Sequence, residues 1–309
     1  MAALTLLEAS KLMSGEILRQ AVIEMFARNS DILEALPFIT IQGNAYKYNR
    51  EAALPGISFR GVNEAYTASA GVINPITESL VIAGGDLDVD RFIIATEGEQ
   101  VRAVHEDMKV KALTAAITNS FIKGDNLSDP REFNGLQARL TGTQLIAAGS
   151  TANGTPLSLG KLDELIDAVS DPTHLIMNRS MSRRLAAAAR ATGVGGFVSY
   201  DMNEFGNRVM TYNGLRILNG YDANLNTAIL PFTEAATSGT ATATSIYCVS
   251  FGPGGVIGLQ SSPPDVRDLG EIPEKPVYRT RVEWYVALAV LGGRSAARLW
   301  SISDAAITA

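Results

Sequence analysis

The sequence predicts an α+β fold whose longest elements are a strand near its end and a helix in its first half. Three observations carry this. Tyr278, Thr280, Val282, Trp284, Val286, Leu288 and Val290 occupy one parity, while Arg279, Arg281 and Glu283 open the other before it turns apolar at Tyr285; period-two alternation of this extent is a long strand. Residues 96–124 place Val101, Val104, Met108, Ala112, Ala115 and Phe121 at helical spacing, over about 40 Å at 1.5 Å per residue. Between them the chain alternates short helical and strand-like patterns, the texture of a compact α/β module.

The elements follow in order. Residues 14–28 read as an amphipathic helix, with Ser14 as N-cap and Ile17, Ala21 and Met25 on one stripe. The turn S-D-I-L-E-A-L continues that stripe through Ile32, Leu33 and Leu36 before Pro37 stops it. Nothing else in the first 37 residues covers these side chains, so they must lie on another layer. F-I-T-I-Q-G-N-A-Y-K-Y-N-R-E from Phe38 and the run 80–94 are strand-like, and the segment between them, with L-P-G-I-S-F-R, is the tip of a projection. A loop of that length in a compact domain is uncommon and marks a functional element. Thr96 and Glu99 form a capping box that starts the long helix, and Gly124 ends it. In the middle lie a helix at 159–170, a strand at 174–178, a helix ended by Gly193, a hairpin at 208–218 turning on Asn213-Gly214 and a strand at 244–251. A proline-rich bend then leads into the final long strand.

Composition narrows the function. The chain has 309 residues, 46% hydrophobic and 19% charged, with a formal net charge of −6. That balance is globular and argues against a protein that grips a nucleic acid backbone. A single cysteine, Cys248, excludes an intrachain disulfide. The N-terminus lacks the basic start of a secretory signal, and the uncharged stretch 235–264 is rich in Ser, Thr, Gly and Pro. The N-x-S/T matches at Asn126, Asn153 and Asn178 read as chance.

Catalytic patterns are sparse. His105 and His174 have no metal-ligand spacing around them, and Cys248 sits in an apolar strand where an inert thiol is the ordinary outcome. The clusters G-P-G-G (252–255) and G-V-G-G (193–196) lack the lysine of a phosphate loop. Asp88 and Asp90 are no stronger a signal for a carboxylate pair than any strand acids. Catalytic, cofactor-binding and metal-binding residues are all read as none. What the chain does carry is a helical arm, a β projection, a girder helix and a long return strand, all devices for touching neighbours.

In this order the elements resemble the major capsid proteins of tailed bacteriophages, with the Hong Kong 97 fold. The segments L-P-F-I-T-I-Q-G-N-A-Y-K-Y-N-R-E, L-P-G-I-S-F-R and V-E-W-Y-V-A-L-A-V-L-G-G-R-S-A-A-R-L are similar to extended-loop and closing-strand segments of that family. The resemblance implies an N-terminal arm at 1–37, an extended loop at 38–95 and a peripheral domain at 96–149 with its spine helix at 96–123. An axial domain at 150–255 and a return to the peripheral domain at 256–309 complete it. It further implies hexamers and pentamers closing an icosahedral shell around double-stranded DNA, in a virion assembled in the host cytoplasm. Portal, a separate scaffolding protein and a decoration protein are the implied partners, and slight acidity suits a wall from which DNA must slide. Two alternatives stay open: an encapsulin-type cellular compartment, and an α+β enzyme with an unrecognised site.

The assembly residues follow from the same resemblance. Leu54, Ile57 and Phe59 at the loop tip are expected to dock on a neighbouring subunit, with Arg50, Glu51, Arg60 and Glu64 as ion-pair partners. Ile17 and Met25 on the arm are expected to lie under a neighbour, and Arg279, Arg281 and Glu283 form a charged face of the long strand. One relative cross-links its subunits through a loop lysine; only Lys47 lies in this loop, at its base, so that chemistry is not carried over.

Overall fold

The computed structural model describes residues 3–8, 24–191, 197–203, 205–222, 227–237, 239 and 241–308. Along the chain run β1 (Leu4–Thr5), α1 (Asp31–Ala35), β2 (Pro37–Thr40), β3 (Ala45–Ala53), β4 (Val72–Ser79), β5 (Val81–Asp90), α2 (Arg91–Glu97) and α3 (Gln100–Lys123). After α4 (Leu136–Arg139) come β6 (Leu145–Ala147), α5 (Leu159–Asp167), β7 (His174–Met177), α6 (Arg179–Ala191), β8 (Val198–Met202), β9 (Arg208–Tyr212) and β10 (Leu215–Asn219). The remaining strands are β11 (Tyr221–Asp222), β12 (Thr227–Ala228), β13 (Glu234–Ala235), β14 (Ala241–Val249), β15 (Val256–Gln260), β16 (Asp265–Glu271), β17 (Val277–Val290) and β18 (Ala296–Ser303).

β17, the long strand the alternation predicted, is the centre of the first sheet. One edge pairs with β5; the other takes β16 along its first half and β15 along its second, and β2 and β1 follow β15. Its even parity is buried from Thr280 to Val290 and shares one core cluster with Val110, Leu113, Ile117 and Phe121 of α3. The odd parity changes character midway because its neighbours do: Arg279, Arg281 and Glu283 stay partly open, whereas Ala287 and Ala289 are buried under Ile41 and Tyr48 from the start of the hairpin. The second sheet, ordered β6-β18-β14-β7-β10-β9-β8, packs Leu162 and Leu165 of α5 and Met181 and Leu185 of α6 against its strands. Two features are encoded locally, the second of them the expected turn at 213–214. Ser158 caps α5 by accepting the Lys161 N–H, and Asn213 and Gly214 turn β9 into β10 with φ of 52° and 82°.

Four expectations are corrected. The helix does not start at 96: Asp90 accepts the Phe92 N–H and caps a separate helix, α2, that ends at Gly98 with φ +91°. Glu99 makes no side-chain cap bond, and the Thr96 hydroxyl turns back to the carbonyls of Phe92 and Ile93. The upstream Asp is a stronger N-cap, and glycine alone accepts the left-handed break readily.

The buried stripe of α3 is also shifted. Val110, Leu113, Thr114, Ile117, Thr118, Phe121 and Ile122 are buried, whereas Val104 and Met108 are more than half exposed. Two threonines complete the stripe because each hydroxyl bonds the carbonyl four residues back (Thr114 to Val110 and Thr118 to Thr114), which satisfies it inside a helix.

The hairpin pairs β3 with β4, in register from Ala45↔Ser79 to Ala53↔Val72, while the run beginning at residue 80 pairs with β17 in the sheet. Pro75 disguised β4 as loop; in a two-stranded ribbon each strand keeps a free edge, where a missing N–H breaks no ladder bond.

Finally, the N-terminal stripe does not wait for a neighbour throughout its length. Phe26, Ile32, Leu33 and Leu36 are buried in the chain's own core, and the rings of Phe26 and Phe38 lie 5.5 and 5.2 Å from that of Trp284. Ile17 and Ala21 fall outside the described residues.

Candidate assembly surfaces

The hairpin is mounted rigidly at its base. The Tyr46 and Tyr48 rings stack at 6.0 Å, and Tyr48, Ile41, Ile257, Leu259, Ala287 and Ala289 form one buried cluster. Glu78 near the end of β4 accepts both Arg139 guanidinium nitrogens, one of them at 2.8 Å; Arg139 also donates to the carbonyls of Asn134 at 2.7 Å and Leu288 at 3.1 Å. Their side chains are only 14% and 13% exposed. The Tyr48 hydroxyl donates to Glu78 at 3.4 Å, and burial, then the Glu78 charge, raises its pKa. Higher up, Arg50 reaches the Gly293 carbonyl at 3.4 Å, so it ties the hairpin to its own chain. Glu78 and Arg139 escaped the sequence reading because no motif connects groups 61 positions apart.

Beyond Ala53 the chain has no strand until Val72, and residues 53–71 are all exposed. Ile57 is 92% exposed, Phe59 is fully so, and Leu54, Val62 and Tyr66 are close behind. The tip nevertheless has shape. The Ser69 hydroxyl donates to the Gly56 carbonyl at 2.7 Å, and the Gly61 N–H donates to the Glu64 carboxylate at 2.9 Å. Arg60 donates to the Glu64 carbonyl at 3.2 Å and lies 5.1 Å from the Tyr66 ring centre. Arg60 and Glu64 thus hold the turn that presents the apolar residues. Glu51 is exposed beside them, opposite Ile73. Met25, by contrast, is half-buried against the chain's own core.

The charged face of β17 is satisfied within the chain. Arg279 donates to both Asp88 oxygens (2.6 and 2.7 Å), and Arg281 to both Asp86 oxygens (2.7 and 3.0 Å). Glu283 stands 4.0 Å from Arg281. These forked hydrogen bonds hold the Asp86 and Asp88 carboxyls below the usual range. Arg102 at the start of α3 pairs with Asp268 at 2.6 Å and donates to Thr280 at 2.9 Å, joining helix to sheet.

The reactive side chains are quiet. Burial, aided by Arg216, lowers the His174 pKa to about 4, and burial pushes the Cys248 thiol up to about 12. Among the described residues no group of three or more His, Cys, Asp or Glu could hold a metal ion, and no helix is long and apolar enough to cross a membrane.

The chain is similar to known proteins in part of its sequence and in its fold. The family described as Major capsid protein GP7 matches residues 14–157. No curated protein matches. Among solved structures, the chain is similar to the holo-SrpI encapsulin complex from Synechococcus elongatus PCC 7942, with a TM-score of 0.61, 19% identity and coverage of 90% of this chain and 89% of that one. It is similar to the capsid of a native GTA particle, with a TM-score of 0.59 and 14% identity over 90% and 91% of the two chains. It is also similar to a protein of Mycobacterium phage Adephagia, with a TM-score of 0.61 and 12% identity over 90% and 91%. At these identities the likeness is one of fold, an α+β capsid fold extending over nearly the whole chain.

Proposed function

We infer that this chain is a major capsid protein of the tailed-phage type, with the Hong Kong 97-like fold, and its surfaces are to be read from that premise. The match of residues 14–157 to a major capsid family carries the reading. The tip supplies the means: a rigidly mounted projection ending in Leu54, Ile57 and Phe59 leaves apolar surface in water, and burial against another copy stabilises it by about 1.5–3 kcal/mol per large side chain.

The parts then take these roles: 1–37 the N-terminal arm, 38–95 the extended loop, 96–149 the peripheral domain, 150–255 the axial domain and 256–309 the return. The spine is α3, Gln100–Lys123. Copies join as hexamers and pentamers into an icosahedral shell that encloses double-stranded DNA in the virion, without sequence-specific contacts. The shell assembles in the bacterial cytoplasm with a portal, scaffolding and decoration proteins as partners. The role is structural. Glu51 and the polar edge of the tip border the docked surface, and Ile17 and Met25 form the arm's share of it.

Electron microscopy of the expressed protein tests this, with closed shells expected. Deleting residues 52–62 is expected to leave a folded subunit that forms none, because the base contacts of Tyr48 and Glu78 lie outside the deletion. Normal shells from that variant would remove the tip from assembly. The likeness to the encapsulin complex favours a second reading, a protein-filled compartment; nuclease-protected DNA in purified shells distinguishes a phage head from it.

A further inference from the structure

Two features far apart in sequence fit one another. Between α3 and α4 the chain makes a loop in which residues 126–131 are all exposed and Leu127, at 93%, is among the most exposed apolar side chains. The loop is firmly built. The Asp125 carboxylate accepts the Leu127 N–H at 3.0 Å and the Ser128 hydroxyl at 2.8 Å, and Asp129 accepts the Arg131 N–H at 3.0 Å. Leu127 is therefore held out in water by its own turn. Across residues 125–132, Asp125, Asp129 and Glu132 against Arg131 leave a net charge of 1 − 3 = −2.

The second feature is a groove of about 440 Å³ at the start of α6, bordered by β8, β9 and β10. Among the described lining residues Arg179, Arg183 and Arg208 stand against Asp31, a net of 3 − 1 = +2. Met210 and Ile217 add apolar lining. The Arg208 guanidinium stacks 3.8 Å from the Tyr200 ring centre, and Arg183 is exposed and has no ion-pair partner among the described residues. In a chain whose net charge is −6, this concentration of arginine runs against the average.

We propose that the Asp125–Glu132 loop of one copy seats Leu127 in the arginine groove of the next. The described charges are opposite in sign, and an apolar knob meets a groove with apolar lining. Two different patches on one chain make a head-to-tail contact, which closes into a ring when the rotation permits. This rests on the shell reading and adds the contact that sets neighbouring copies in register. Opposed charge patches contribute to register and encounter rate.

Charge exchange tests it. R183E/R208E and P130K/E132K, the latter sparing the Asp125 and Asp129 bonds that build the loop, are each expected to raise the subunit concentration needed for assembly by about tenfold, with thermal melting unchanged. The chain carrying all four substitutions restores complementarity and is expected to recover assembly. L127S, at an exposed position, is expected to weaken assembly without touching the fold. A fourfold variant as defective as its halves overturns the contact. So does R183E/R208E that assembles normally and retains less DNA, which would assign the groove to nucleic acid. Wild-type protein that never leaves the monomer overturns this contact and the shell reading together; wild type that assembles while the exchange fails overturns the contact alone.

Discussion

At the base of the β3–β4 hairpin Tyr48 is buried and Glu78 is gripped by Arg139, while at its tip Ile57 is 92% exposed with no partner for its apolar surface. Both ends contain apolar and charged residues in similar mixture. They differ in what surrounds them. The base lies on β15 and β17, which bury Tyr48 and cover much of Tyr46, and the Glu78 and Arg139 side chains are only 14% and 13% exposed. The tip has internal hydrogen bonds through Ser69, Glu64 and Arg60 that fix its shape, but no second layer. A projection oriented so firmly with its end uncovered supports the docking role proposed for the tip, and disturbing the two ends should have opposite consequences.

The largest expected cost to the subunit is at the base. Arg139→Met leaves the Glu78 carboxylate in a nearly closed site and should destabilise by about 3–5 kcal/mol, whereas Glu78→Gln with Arg139→Met should recover much of that loss, because no uncompensated charge remains. Chemical denaturation of the two variants checks this; equal losses would mean that the pair acts through shape and not charge.

A smaller effect belongs to the open charged face. Arg279 and Arg281 lower the folded pKa values of Asp88 and Asp86 from the ordinary 3.8. Groups with depressed folded pKa values stabilise above the unfolded pKa, so this contribution is present at neutral pH and is lost as pH falls below 3.8 through the folded values. Asp86→Asn with Asp88→Asn should therefore reduce the acid-side slope of the melting temperature and leave the slope near neutrality unchanged. Added salt should weaken the wild-type advantage, since the pairs are partly exposed.

The smallest expected cost is at the tip. Ile57→Ser with Phe59→Ser should change subunit stability by no more than about 0.5 kcal/mol, since both side chains already stand in water, yet shells should fail to close. A clear loss of subunit stability would show that the tip packs on its own chain in solution.

Much of the framework is legible in short stretches of sequence. The alternation from 278 to 290 specifies β17 within a residue, Ser158 marks the start of α5, and Asn213-Gly214 specifies the β9–β10 turn. The exposed tip residues stand out as apolar groups in a stretch without strand or helix period. Each of these is settled by a residue and its near neighbours: the pleat turns alternate side chains to opposite faces, a serine oxygen bonds an N–H three positions on, and asparagine and glycine accept positive φ.

Tertiary structure decided the rest. That β5 joins β17 while β4 joins β3 depends on which strands find a shared hydrophobic layer, and their local patterns do not rank the two pairings. The phase of α3 depends on where the sheet lies beneath it, so that Thr114 and Thr118 are buried while Val104 and Met108 are open. Phe26 and Ile32 could be assigned to the subunit's own core only once Trp284 stood more than two hundred positions away to receive them. The same holds for Arg139 and Glu78. Burial and charge pairing are properties of the whole packed arrangement, because water must be excluded from every side at once.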